Sequence, residues 1–287
     1  MAIFADMIQT VAIAGAGTMG SGIALSAALA GYQVILLDTW EGALDKACSS
    51  IQQNLRTMVQ KGKLAEDELP TVWERIQTSA DPEACVADLI IEAIVEKLEA
   101  KTALLLRLAA VNTPHCIIAS NTSSLSITDI QTNLPQPHRV AGLHYFNPAH
   151  IMKLVEVIRG KHTHEDTIQQ LVHFSKQLGK TPVVCTDAPG FIVNRVARHF
   201  YLESMKAVEN GTATVEQIDA IMEATGFKMG PFKLMDMIGM DINLAVSQSL
   251  YEAFGHEERF RPSDLQVQKV QQGALGKKTG KGFYQYD

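Results

Sequence analysis

His144 and Glu156 both stand among apolar neighbours, one in Gly-Leu-His-Tyr and the other in Leu-Val-Glu-Val. An unpaired charge in such surroundings is costly, so pairing the two with each other resolves both burials. A carboxylate against one imidazole nitrogen fixes the tautomer and favours the protonated ring, which makes a general acid/base. A His–Glu pair serving structure alone fits the same spacing, and the residues by themselves leave both readings open. The other histidines mostly lie in polar or loop-like contexts and read as solvated or capping residues.

Gly15-Ala-Gly17-Thr18-Met19-Gly20 carries a second kind of chemistry. The pattern G-x-G-x-x-G is weak alone. Here it follows an apolar run, opens a proline-free stretch of small residues, and precedes an acid, Asp38, about 20 residues on, which is the dinucleotide-binding arrangement. Gly15 permits a tight turn, Gly17 lets the backbone approach a pyrophosphate, and Gly20 allows close helix–strand packing. Asp38 is placed to accept hydrogen bonds from a ribose. Its carboxylate repels a 2′-phosphate and no arginine follows at once, so NAD is favoured over NADP. A glycine-rich packed turn without a ligand is the competing reading.

Asn121 and Ser123 follow a strand whose C-terminal edge, in a parallel sheet, points into the ligand crevice. They are placed to meet a nicotinamide or a substrate, or to make a serine/threonine turn capping the helix that starts at Ser126. No base is adjacent and no nucleophile elbow is present, so Ser123 does not read as a covalent nucleophile. Asn194 and Arg195 fall in the first turn of a later helix, where an amide faces either an interdomain cleft or solvent.

The elements that position these residues follow from the apolar pattern. Short buried strands are expected at 11–14, 34–37, 88–94, 116–119, 140–145, 154–158 and 181–185, and helices at 18–30, 41–63, 96–110 and 165–178. Strand, helix, strand within about thirty residues is a βαβ unit with a parallel pair. The alternation predicts a doubly wound, Rossmann-type α/β sheet domain over 1–187. After Asp187-Ala-Pro-Gly190 no strand is expected. Helices are expected at 191–210, from a capping box at Thr214–Gln217, at 241–254, and from a second capping box at Ser263–Gln266, giving an all-α domain over 188–287.

Composition narrows the class. The chain has 287 residues, 46% hydrophobic and 20% charged, with net charge −6. That is a globular composition with no global basic field for nucleic acid or an anionic membrane. The charge-free run from Met7 to Leu37 is long enough on paper to span a bilayer, but its glycines and the preceding Asp6 favour a buried strand–turn–helix–strand. Cys48, Cys85, Cys116 and Cys185 lie far apart, without metal-site spacing, and indicate a reducing compartment with neither disulfides nor a structural metal.

The motifs Gly-Ala-Gly-Thr-Met-Gly-Ser-Gly-Ile-Ala (15–24), Ser-Asn-Thr-Ser-Ser (120–124), His-Tyr-Phe-Asn-Pro (144–148), Met-Lys-Leu-Val-Glu-Val (152–157), Pro-Gly-Phe-Ile-Val-Asn-Arg (189–195) and Lys-Lys-Thr-Gly-Lys-Gly-Phe-Tyr (277–284) occur in that order. Together they resemble the NAD-dependent L-3-hydroxyacyl-CoA dehydrogenases over essentially the whole chain, most of all the short bacterial 3-hydroxybutyryl-CoA dehydrogenases. The resemblance implies a cytoplasmic homodimer with no transit peptide and no fused hydratase domain. It implies that His144 is the catalytic acid/base with Glu156 as partner, and that Ser123 and Asn194 hydrogen-bond the substrate oxygen. It implies cofactor contacts at Asp38, Glu96, Lys101, Asn147 and Lys278, beside the glycine loop and Asn121. It also implies coenzyme A contacts at Asn54 and Lys61, though Asn54 stands where some relatives carry serine. Lys46, Arg56, Lys61 and Lys63 locally outnumber Asp45 and form a basic patch suited to an anionic acyl-CoA; a solvated helix face explains the same run. Two rivals remain: a dehydrogenase of a free small hydroxy acid, and a non-enzymatic NAD-sensing protein.

Overall fold

Val11-Ala-Ile-Ala14 is apolar on both faces, and a strand can use such a run only when helices cover both sides of its sheet. It lies in β1 (Thr10–Ala14), near the middle of an eight-stranded sheet. The other strands are β2 (Gln33–Leu37), β3 (Ile76–Ser79), β4 (Leu89–Glu92), β5 (Ile117–Ser120), β6 (Val140–Tyr145), β7 (Leu154–Arg159) and β8 (Thr181–Thr186). This is a computed structural model describing residues 8–286; residues 1–7 and 287, which the expected domains include together with Asp6 and Met7, lie outside the described residues.

The sheet order is β3-β2-β1-β4-β5-β6-β7-β8. The first six strands are parallel, β7 runs antiparallel to β6, and β8 is parallel to β7. The order reverses between β1 and β4, and ligands of such sheets bind at the carboxyl ends of strands beside that reversal. The Rossmann-type expectation therefore holds.

Helices α1 (Thr18–Leu29), α2 (Glu41–Gln60), α4 (Leu98–Val111), α5 (Ile127–Thr132) and α6 (Glu165–Gln177) form as expected, with shifted ends. The helix expected from 96 begins at Leu98, which leaves Glu96 in the loop after β4. Two strands or α-helices before residue 188 went unforeseen: β3, an edge strand with one buried side chain, Ile76, and α3 (Glu68–Glu74), which holds Pro70 in its first turn. Both are too short for periodicity to reveal.

Contacts divide the chain into two compact units, Met1–Ala188 and Pro189–Asp287. In the first, Ile13, Ile23, Leu36, Ile91 and Leu143 belong to one core between sheet and helices. Burying each such side chain contributes roughly 1.5–3 kcal/mol relative to exposure. The second unit is helical: α7 (Val193–Glu209), α8 (Val215–Ala224), α9 (Pro231–Ile238), α10 (Met240–Ala253) and α11 (Asp264–Gln271). Its core gathers Tyr201, Met205, Phe232, Met235 and Met240. The capping box at Thr214 and Gln217 is present.

The box expected at Ser263 and Gln266 is not. Ser263 makes no side-chain cap; its Oγ donates to Glu209 Oε1, which also accepts from Leu265 N at 2.9 Å. Gln266 is buried and donates to Asn243 Oδ1 at 2.6 Å. A carboxylate from α7 takes the capping role that local spacing assigned to Ser263. Among the described residues no helix is long and apolar enough to cross a membrane.

Candidate active site

The glycine loop forms where β1 meets α1. Gly15 has φ 111°, and a Cβ there would come within 2.7 Å of Ala93 O in the loop after β4. A Cβ on Gly20 would collide with Gly15 O. At Gly17 a Cβ would meet nothing within 4 Å, so the outer face of the turn is open to a ligand. Gly17 N-caps α1 without a side-chain hydrogen bond, and the first turn holds no acid. The dipole and backbone N–H groups of Thr18, Met19 and Gly20 are thus left for an anion such as a pyrophosphate. Asp38, at the end of β2, accepts from Ala16 N at 2.9 Å and Trp40 N at 3.0 Å, which fixes its carboxylate beside that turn. These residues fit a dinucleotide.

A second cluster lies at the ends of β4 and β5. Lys101 is 1% exposed on the face of α4 that also buries Leu105 and Leu108. Its ammonium meets Glu92 at 2.6 Å and Glu96 at 3.1 Å. Glu92, fully buried, also accepts from Ser120 Oγ at 2.6 Å. The Ser-Asn-Thr-Ser-Ser loop wraps Glu96: Ser123 N and Ser124 N donate to Glu96 Oε1 at 3.0 and 3.2 Å, and Thr122 Oγ1 donates to it too. Burial alone would raise the Glu96 carboxyl, but Lys101 and the Thr122 and Ser124 hydroxyls outweigh it and hold the group below its ordinary range. Ser126, not Ser123, caps α5. Glu92 and Ser120 were missed from sequence, where Glu92 reads as the continuation of an apolar strand. The signal available was a lysine on the buried stripe of α4, which needs a carboxylate partner.

The third cluster comes from register. β6 and β7 pair so that His144 stands directly opposite Glu156, and directly opposed side chains on one face touch. His144 Nδ1 lies 2.8 Å from Glu156 Oε2, with the two residues 6% and 1% exposed. The Phe146 ring packs 4.5 Å from the imidazole. Asn121 Oδ1 accepts from Tyr145 N at 2.8 Å and ties the loop after β5 to the strand bearing His144. An ionised carboxylate only accepts hydrogen bonds, so against it Nδ1 carries the proton.

A cavity of about 360 Å³ joins the glycine loop to α2 and to the loop after β6, and its lining includes Gly17, Thr18, Asn54 and Asn147. Lys61 does not line it; it is the exposed C-cap of α2. Asn194 and Lys278 belong to the second unit, Asn194 in the first turn of α7 and Lys278 paired with Asp241 at 2.5 Å. Among the described residues no group of three or more histidine, cysteine or acidic side chains could hold a metal.

Comparison with known proteins bears on both units. Residues 10–188 match the family model for the 3-hydroxyacyl-CoA dehydrogenase NAD binding domain, and 190–286 match its C-terminal domain. The chain is 47% identical to 3-hydroxyadipyl-CoA dehydrogenase of Escherichia coli, covering 97% of this chain and 59% of that protein. It is 42% identical to a probable 3-hydroxybutyryl-CoA dehydrogenase of Bacillus subtilis, covering 98% of each. The crystal structure of (S)-3-hydroxybutyryl-CoA dehydrogenase from Ralstonia eutropha superposes with a TM-score of 0.93 at 38% identity, covering 98% of this chain and 99% of that one. The glycine turn, Asp38 and the histidine–carboxylate pair thus sit on a chain that belongs to the NAD-dependent 3-hydroxyacyl-CoA dehydrogenase family.

Proposed function

We propose that the protein reversibly transfers a hydride between NAD and C3 of a short-chain (S)-3-hydroxyacyl-CoA, interconverting 3-hydroxybutyryl-CoA and acetoacetyl-CoA. The observation that carries this reading is the His144–Glu156 pair, built by register at the carboxyl end of β6. NAD supplies the hydride acceptor. The backbone of residues 15–20 would hold its pyrophosphate and Asp38 its ribose, with further contacts from Glu96, Lys101, Asn121, Ser123, Asn147 and Lys278. In oxidation His144 takes the substrate's hydroxyl proton at Nε2, and in reduction it returns that proton to the forming alkoxide. Glu156 fixes the ring's orientation and tautomer. Ser123 and Asn194 hydrogen-bond the substrate oxygen, and Asn54 and Lys61 hold the coenzyme A handle.

The test is NADH oxidation with acetoacetyl-CoA against free acetoacetate. Activity confined to the thioester supports the proposal, and equal efficiency with the free acid replaces it by a hydroxy-acid dehydrogenase. No turnover with either, despite NAD binding, favours an NAD sensor.

The exposed apolar side chains of the helical unit, Val196, Ile221, Met237 and Ile242 among them, support a homodimer formed through that unit. A monomer in sedimentation at micromolar concentration would remove this part. A cytoplasmic location accords with the four free cysteines, of which Cys116 is pushed up to about 12 by burial and so kept from thiolate chemistry.

A further inference from the structure

Trp40 is 62% exposed, two residues beyond Asp38, and the proposed reaction gives it no task. It is the N-cap of α2, and its indole lies along the start of that helix: a Cβ added to Gly42 would come within 2.9 Å of indole Cε2 and Cζ2. Lys46 holds its Nζ 4.9 Å from the indole centroid. Gly42 and Lys46 are four residues apart, hence neighbours on one face of α2. The indole is therefore backed by a glycine, held by a cation, and otherwise open. Trp40 and Lys46 also line the cavity shared by Gly17, Asn54 and Asn147. An exposed aromatic face beside an ammonium at the edge of a cavity suits a planar base that carries phosphate.

We propose that Trp40 and Lys46 form a platform for an adenine nucleotide, with the indole stacking on the purine and the ammonium meeting a phosphate. The proposal rests on the dehydrogenase reading, under which two adenine nucleotides reach this unit, NAD and coenzyme A. Asn54 on the same cavity wall favours coenzyme A.

The experiment has a kinetic arm and a binding arm. Trp40→Ala should raise the KM for acetoacetyl-CoA roughly tenfold, as loss of one base–aromatic stack does. It should leave the KM for acetoacetyl-pantetheine, which lacks the nucleotide, unmoved. Trp40→Phe should restore most of the affinity. Gly42→Ala keeps both side chains, favours the helix, and should still raise the KM by pushing the indole aside. A rise in the KM for NADH instead assigns the platform to the adenine of NAD. The binding arm needs no turnover: the chain has two tryptophans, Trp40 and Trp73, so coenzyme A or NAD should quench the fluorescence of Trp73→Phe far more than that of Trp40→Phe. Unmoved KM values for both nucleotides, or equal quenching in the two variants, overturns the platform. A wild-type protein inert towards acetoacetyl-CoA overturns the dehydrogenase reading instead, and the quenching still decides the platform.

Discussion

The two units of the chain differ in how they bury charge. In the first, two clusters set buried charges against opposite charges: Lys101 lies between Glu92 and Glu96, and His144 against Glu156, while Lys180 alone donates to the carbonyls of Ala149 and Met152. In the second, buried charges are solvated by fixed neutral groups. Arg198, 2% exposed, donates through Nη1 to Asn243 O, Asn243 Oδ1 and Ser247 Oγ at 3.0–3.1 Å, and burial pushes its guanidinium down to about 10. Asp219 accepts from Phe232 N at 2.9 Å, Lys233 N at 3.0 Å and Tyr284 Oη at 2.8 Å. Asp236 accepts from Phe283 N, Tyr284 N and Tyr286 Oη in the same way. A carboxylate held by backbone N–H and phenol donors acts as a latch, here fastening residues 283–286 to α8 and α9. The buried ion pairs of the first unit lie at the carboxyl ends of its strands, whereas the latches of the second unit tie its helices together.

The largest expected effect tests the chemical side. His144→Ala should cut turnover per folded molecule on the order of 10²–10⁴-fold, the usual cost of losing a general acid/base, and should also lower the denaturation midpoint because the buried Glu156 loses its partner. Glu156→Gln keeps the shape and removes the charge, so its loss should be smaller but clear. Steady-state rates with saturating NADH and acetoacetyl-CoA decide this. Wild-type turnover in both variants would make the pair a structural one and erase the contrast between the units.

The scaffold side should behave in reverse. Asp219→Ala leaves three donors without their acceptor, and each buried one costs about 1–3 kcal/mol. Urea denaturation should therefore show a stability loss of several kcal/mol, while turnover per folded molecule holds. A variant of intact stability and collapsed turnover would break the comparison from the other end. Within the Arg198 network the effect should be asymmetric. Arg198→Met removes the desolvated cation together with its needs and should cost little. Asn243→Ala strands the guanidinium and should cost roughly 3 kcal/mol or more. Equal losses in the two would mean that packing, not charge, sets the stability of this helix contact.

What was legible in the sequence divides along the same line. The glycine turn and the His144–Glu156 pair could be read because the first is local and the second places polar residues in apolar strands where only a partner makes sense. The fold class followed from the alternation of short apolar runs and helices, while the strand order and the antiparallel turn of β7 against β6 did not. Glu92 stayed hidden because its partners, Lys101 and Ser120, come from other elements, and nothing beside it in sequence announces them. Ser263 was misread for the complementary reason: its local pattern satisfied the capping rule, but Glu209, far away in sequence, is the acceptor it finds in the fold. Trp40 escaped because an exposed aromatic at a helix start has no periodic signature; its meaning lies in Gly42 and Lys46 beneath it.

The smallest expected effect sharpens the comparison most finely, because it asks where acid sensitivity resides. Glu96 is the more exposed carboxylate of the Lys101 cluster. Burial raises its carboxyl, yet Lys101, Thr122 and Ser124 bring it below its ordinary range. A carboxyl whose folded pKa is depressed binds protons less readily in the folded chain than in the unfolded one. Its stabilising contribution is complete above the unfolded value of about 4.3 and is lost as pH falls through the lower folded value. Glu96→Gln should therefore be slightly less stable than wild type at neutral pH, and the gap should close as the medium is acidified past the ordinary carboxylate range. Urea midpoints of the two proteins at pH 7, 5 and 3, each chosen as a round value about that range, would show it. A gap of constant size would mean that the side chain holds the Thr122–Ser124 loop by shape alone. A closing gap would place part of the acid lability on the Glu96 carboxylate at the ends of β4 and β5.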